Sequence, residues 1–169
     1  MDFKNYIKIL QETEELVCVK KEIDTIYEMS AIMKRLEKEN GPAVLFENPI
    51  GYSGKKVVGN LYSKEKRIAL GLNLANSDNI EKDNYRKSIF SLYDHSIDKV
   101  IPPHCIPTNS PFISSKAHSV DVLQEMPILT HCEKDGGPYI SAGIVITKYP
   151  ETDDRIIQVV EMQIIDKDK

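Results

Sequence analysis

Residues 135–165 read DGGPYISAGIVITKYPETDDRIIQVVEMQII, and the reading of this stretch decides the fold. The cluster Asp135-Gly136-Gly137-Pro138 opens it with four turn-forming residues in a row. Two β-prone runs follow, Tyr139 to Thr147 and Ile156 to Ile165, joined by the polar KYPETDDR. That pattern predicts a β-hairpin. Alternation in the second run puts Ile156, Val160, Met162 and Ile164 on one face. Ile157, Val159 and Ile165 share the other face with Glu161 and Gln163. Strands that are apolar on both faces need cover on both sides. A two-stranded hairpin is also marginal in isolation, and its open edges invite another strand. This end is therefore expected to dock on the rest of the chain, pair with another chain, or be an incomplete piece of a sheet.

Upstream of the hairpin the periodicity changes. Phe3, Tyr6, Ile7 and Leu10 have helical spacing behind Asp2, a candidate cap. Leu16 to Glu22 (LVCVKKE) reads as a strand. Tyr27 to Leu36 is helical through Met29, Ile32, Met33 and Leu36, and Gly41-Pro42 stops it. Charges in the run Lys34, Arg35, Glu37, Lys38 and Glu39 suit a solvated helix face. Ala43 to Phe46 and Lys56 to Leu61 are short strands, with a turn at Asn48-Pro49 and Gly51 between them. Ser63 opens a helix that runs to Leu70 and breaks at Gly71. Ile80 to Tyr93 has the spacing of one more helix, with Tyr85, Ile89, Phe90, Leu92 and Tyr93 on its apolar side. The segment IPPHCIPTNSPF, residues 101–112, then carries four prolines in twelve residues and excludes a helix. It reads either as a connection between domains or as an extended arm lying on another surface, and proline-rich connections commonly do the first job.

Composition narrows the function classes. Of 169 residues, 41% are hydrophobic and 28% charged, the ordinary balance of a globular protein able to bury a core. A net charge of -4 argues against nucleic acid, since phosphate binding needs a basic face. No apolar run approaches the roughly 20 residues of a membrane helix. Met1 to Lys8 lacks the apolar core of a signal peptide. A cytoplasmic protein is expected.

Three cysteines, Cys18, Cys105 and Cys132, make no CxxC pair. His104 precedes Cys105 and His131 precedes Cys132, but neighbours in an extended chain point to opposite faces and make poor co-ligands. No metal site is expected from them. His131 reads as structural, and Asp135-Gly136-Gly137-Pro138 as a turn rather than a set of amides facing a phosphate. Glu22, Asp24, Glu47 and Asp121 are carboxylates with no partner identifiable in the sequence, and are expected to be solvated. No GxSxG, P-loop or HExxH motif appears.

Three blocks in order carry a resemblance: GPAVLFENPIGY from Gly41, VVGNLYSKEKRIALGL from Val57, and DVLQEMPILTHCEKDGGPYISAGIVITKYPETDDR from Asp121. They are similar to the early part of the UbiD-type decarboxylases, from about Leu16 to the C-terminus. The resemblance implies an α+β architecture: an N-terminal mixed α/β domain (1–100), the proline-rich connection (101–119), and the first strands of a split β-barrel of the flavin-binding type (120–169). It also implies non-oxidative decarboxylation of an aromatic or unsaturated acid with prenylated FMN, together with Mn2+ and K+.

The same resemblance carries over to single residues. After Arg155, the family reads a metal-ligating asparagine and, further on, an arginine facing flavin and substrate carboxylate. Ile156 stands at the asparagine position and Glu161 at the arginine position. Ile156 has no oxygen to offer a hard cation, and Glu161 reverses the charge. Neither Asn nor Arg occurs from Ile156 to Lys169. Catalytic and metal residues are thus expected to be missing, with only the backbone of Val159 and Val160 left for a cofactor. The chain alone is expected to be inactive and to retain no cofactor. Two roles remain open: a shortened carboxy-lyase, or a non-catalytic subunit that forms a homo-oligomer or joins a larger UbiD-like partner.

Overall fold

The computed structural model describes residues 2–74, 84–99, 120–152 and 154–167. The proline-rich connection, with His104 and Cys105, and the first turn expected at Ile80 lie outside the described residues. The elements run α1 (Phe3–Glu12), β1 (Leu16–Ile23), α2 (Glu28–Lys38), β2 (Ala43–Pro49), β3 (Val57–Gly59), α3 (Glu65–Gly71), α4 (Tyr85–Ser96), α5 (Val122–Glu125), β4 (Tyr139–Lys148) and β5 (Arg155–Gln163). Strands β1, β2 and β3 form one sheet in that order, and β4 and β5 form another. The fold is α+β. Contacts divide the chain into two units: Met1–Cys18, Leu36–Leu45 and Val58–Ser119, and then Val19–Arg35, Phe46–Val57 and Val120–Lys169.

In the first unit, the Asp2 carboxylate caps α1 by accepting the Asn5 N–H at 2.8 Å. The helix buries Tyr6 and Leu10, while Phe3, expected on the same face, is exposed. Tyr6 and Leu10 pack with Ala43 and Leu70, flanked by Ile9, Leu16 and Leu61. Helix α3 starts after Lys64, which makes no side-chain cap, so Ser63 is not the cap that its position suggested. Gly71 does not break α3 but closes it: a Cβ there would sit 3.3 Å from the Tyr6 ring. The chain leaves the helix two residues later through Asn73, in the left-handed region at φ 59°. Helix α4 overlaps the expected span from Tyr85 and runs on to Ser96, three residues past Tyr93, but it buries none of its residues, and Phe90 and Tyr93 are exposed.

In the second unit, Met29 and Phe46 are fully buried, and Ile23, Ile128 and Leu129 nearly so. Strand β2 runs on to Pro49, past the expected turn, and the Ile50 N–H donates to the Ile23 carbonyl at 3.0 Å. A short α5, not evident in the sequence, begins behind Asp121, whose carboxylate accepts the amides of Leu123 and Gln124. Tyr52 donates its hydroxyl to the Leu123 carbonyl at 2.6 Å. The expected hairpin forms, with Ile144 opposite Val159 and Thr147 opposite Ile156. One bulge interrupts it. Between Ile140, opposite Met162, and Gly143, opposite Val160, β4 advances three residues while β5 advances two.

Candidate functional site

The candidate site is the turn at Asp135 and the hairpin behind it. Asp135 shapes the turn through its side chain, accepting the amides of Cys132 at 2.8 Å and His131 at 3.2 Å. Those two donors are thereby turned inward. Gly136 leaves room for Gln163, whose side-chain amide occupies the space a Cβ would need, and Gly137 takes φ 148°. Three of the four residues thus have local structural work. His131 places Nδ1 3.3 Å from the Ser30 hydroxyl, which ties the turn to α2 within the same unit.

On β5, the Ile156 side chain lies on the half-buried face with Val160 and Met162, whereas Glu161 is exposed with Arg155, Ile157 and Val159. Five residues apart on a regular strand, Ile156 and Glu161 point to opposite faces, and the structure does not bring them together. Val160 lies opposite Gly143 and Val159 opposite Ile144, so their backbones belong to the β4–β5 ladder. Among the described residues, no three His, Cys, Asp or Glu side chains gather where a metal ion could sit. Cys18 and Cys132 are free and exposed.

Three carboxylates expected to be solvated have local partners instead. Asp121 caps α5, Asp24 accepts the Ile26 amide at 2.9 Å, and Glu47 pairs with Lys56 at 3.1 Å. Each acts on backbone or on a surface lysine, none on a second carboxylate. An acid/base pair is therefore not formed by this set.

The strongest polar constellation lies in the first unit, and sequence reasoning missed it. Arg67 is fully buried, with Nη1 3.0 Å from Glu15 Oε2 and 3.1 Å from the Gly41 carbonyl. Its other terminal nitrogen donates to Ser63 Oγ, which explains why Ser63 is not free to cap α3. Lys66 reaches the second Glu15 oxygen at 2.8 Å, and Lys64 approaches at 3.9 Å. Tyr6 donates its hydroxyl to the carbonyls of Leu61 and Arg67. Burial pushes the Glu15 carboxyl up, but Lys66, Arg67 and Lys64 outweigh it and hold the group below its usual range. Burial, helped by Tyr62 and Glu15 against Arg67, pushes the Tyr6 phenol up to about 12. Both terminal nitrogens of this guanidinium are engaged by a carboxylate, a carbonyl and a hydroxyl, while its buried Nε has no hydrogen-bond partner among the described residues. This cluster ties α1 and α3 to the connections just before β1 and β2 rather than forming a reaction centre.

Residues 7–83 match the 3-octaprenyl-4-hydroxybenzoate carboxy-lyase N-terminal domain. Residues 107–169 match the Rift-related domain of the same enzyme group. This chain belongs to the UbiD family. The anhydromevalonate phosphate decarboxylase of Methanosarcina mazei is 34% identical over 149 residues, covering 88% of this chain and 31% of the relative. Among solved structures, the UbiD-class enzyme HmfF from Pelotomaculum thermopropionicum, in complex with prFMN, superposes with a TM-score of 0.82 at 23% identity over 97% of this chain and 36% of that one. The vanillic acid decarboxylase ShVdcCD of Sedimentibacter hydroxybenzoicus gives 0.84 at 24% identity, over 98% and 36%. These likenesses show that the chain has the UbiD fold over its described length. It spans about a third of the length of the curated relatives it matches.

Proposed function

We propose that this chain is a UbiD-type carboxy-lyase scaffold that does not carry out the reaction by itself. The reaction class is non-oxidative decarboxylation of an aromatic or unsaturated acid with prenylated FMN, Mn2+ and K+. Decarboxylases of anhydromevalonate phosphate and of vanillic acid among the similar proteins support that class. The observation that carries the inactive half of the reading is β5 itself. Its Ile156 side chain is hydrocarbon where a divalent cation needs an oxygen ligand, and Glu161 presents a carboxylate where a carboxylate substrate has to be received. These residues do not fit the flavin and metal, so cofactor retention is not expected of the chain alone.

In the same reading, residues 1–100 form the α/β domain, 101–119 connect, and 120–169 begin the barrel domain. A cytoplasmic setting agrees with the net charge of -4 and with the finding that no helix among the described residues is long and apolar enough to cross a membrane. The test is to incubate the purified chain with prenylated FMN and Mn2+, desalt it, record flavin absorbance, and assay CO2 release from aromatic and unsaturated acids. Neither retention nor release is expected. Stoichiometric flavin together with turnover would overturn the reading.

A second reading, a non-catalytic subunit joined to a larger partner, is favoured by the exposed apolar face of the hairpin. It predicts co-elution with a full-length UbiD-type enzyme and a change in that enzyme's decarboxylation rate.

A further inference from the structure

The guanidinium of Arg67 is withdrawn from solvent, and its nitrogens are served unequally. Nη1 donates to Glu15 Oε2 at 3.0 Å and to the Gly41 carbonyl at 3.1 Å, while Nη2 donates to Ser63 Oγ. Nε is the one buried side-chain donor left without a hydrogen-bond partner among the described residues. The N–H donors of an arginine are fixed in one plane, so Nε cannot swing to an acceptor without pulling the other two nitrogens off theirs. The Glu15 and Gly41 oxygens sit at Nη1, across the fork from the Nε proton. Nη2 and that proton share the other edge, so whatever meets Nε lies beside Ser63 Oγ. A charged group buried with a donor unpaired is costly and rare in folded proteins.

Three kinds of acceptor can take the Nε proton: a further protein oxygen, an anion or a water molecule. The described residues bring no protein oxygen to it. An anion is drawn by Arg67, Lys66 and Lys64, but those charges already converge on Glu15. A buried ion also needs several donors, and this edge has one unassigned. Water is neutral and small, and it brings two donors along with its lone pairs. A second partner for it is at hand. Ser63 Oγ accepts from Nη2 and donates to the Asn60 carbonyl at 3.2 Å, which leaves the hydroxyl one lone pair. Ser63 is itself exposed, so exchange with bulk solvent has a route. We propose that Arg67 Nε and Ser63 Oγ hold an internal water molecule, which accepts the Nε proton and donates one of its own to the serine oxygen. The bridge completes the bonds of the guanidinium and ties the first turn of α3 to the turn from Asn60 to Ser63 ahead of it. The inference goes beyond the decarboxylase reading and stands whether or not the chain meets a flavin.

The test is a high-resolution crystal structure of the full chain, with a second crystal soaked in sodium bromide. The expected result is a single peak about 2.7–3.2 Å from both Arg67 Nε and Ser63 Oγ, carrying no anomalous signal after the bromide soak. A bromide signal at that point overturns the proposal in favour of an anion. A bond from Nε straight to a protein oxygen, from any part of the chain, overturns it as well. So does a dry Nε, or a water on Nε that does not reach Ser63 Oγ. In solution, the Nε–H resonance of Arg67 in isotope-labelled chain supplies a second readout. Cross-peaks at the water frequency, opposite in sign between laboratory-frame and rotating-frame experiments, are expected of a proton held against bound water. No cross-peak, or cross-peaks of one sign that report proton exchange through an open site, would overturn the assignment.

Discussion

Around Glu15 and Arg67 the first unit buries charge, whereas on β4 and β5 the second unit exposes hydrocarbon. In the first region, the guanidinium and carboxylate are withdrawn from water and bonded to each other, to Lys66, to Ser63 and to the Gly41 carbonyl. In the second, four branched aliphatic residues lie open on one face of the strand pair. The lesson is one of division of labour. Groups ordered by packing determine how firmly the chain folds, and groups left open determine what it can associate with. Residue polarity does not tell the two roles apart here; surroundings do.

The comparison predicts opposite responses to substitution. Arg67→Ala strands Glu15 without its buried partner and should cost about 3–5 kcal/mol in urea unfolding followed by tyrosine fluorescence. A loss near that of an exposed pair, about 0–1 kcal/mol, would move this cluster to the surface class and remove half of the contrast. Leu10→Ala should cost about 2–5 kcal/mol, because the fully buried side chain leaves a cavity. Ile157→Ser, measured at a dilution where the chain is monomeric, should change stability by no more than about 0.5 kcal/mol. Equal losses at Leu10 and Ile157 would break the comparison outright.

Smaller effects sharpen it. Tyr6→Phe removes a hydroxyl that donates to Leu61 and Arg67, for about 1 kcal/mol. The phenol's folded value lies above its ordinary 10.0, so its contribution is complete below pH 10 and lost as pH rises towards about 12. The Phe variant should therefore lose less stability than the wild type over that alkaline window. Glu15 has the opposite sign. Its folded value lies below the ordinary 4.5, so its contribution is present above that pH and lost as the medium is acidified. Substitution of Glu15 by Gln should flatten the acid limb of a stability–pH curve. Last, Gly143→Ala would press on the Met162 methyl, the free end of a flexible side chain, and should cost about 1 kcal/mol.

Local rules in the sequence carried the hairpin, the Asp2 cap and the order of helices and strands, because each is written within a few residues. They failed where partners are distant. Lys64, Lys66 and Arg67 look like one solvated basic run, yet Arg67 alone turns inward to a glutamate 52 residues away. Nothing in the spacing of Glu14, Glu15 and Leu16 singles out Glu15 as the buried one. The same limit applies to α4, whose apolar stripe promised burial but is exposed along Phe90 and Tyr93. The resemblance marked Ile156 and Glu161 as positions of interest. That they occupy opposite faces of β5 required the register of the pair.

The bulge in β4 has a consequence for how such a surface arises. If the same sequence alternated strictly from Ile140 with no bulge, Ile144 and Ile146 would turn to the half-buried side and Val145 and Thr147 outward. The bulge absorbs the extra residue, so deleting Ser141 or Ala142 would straighten β4 and leave Ile144 opposite Val159 and Ile146 opposite Ile157, facing outward as before. The bulge is thus a place where a three-nucleotide loss leaves the outer surface of the strand pair unchanged, whereas the same loss further along β4 would turn the side chains beyond it to the other face.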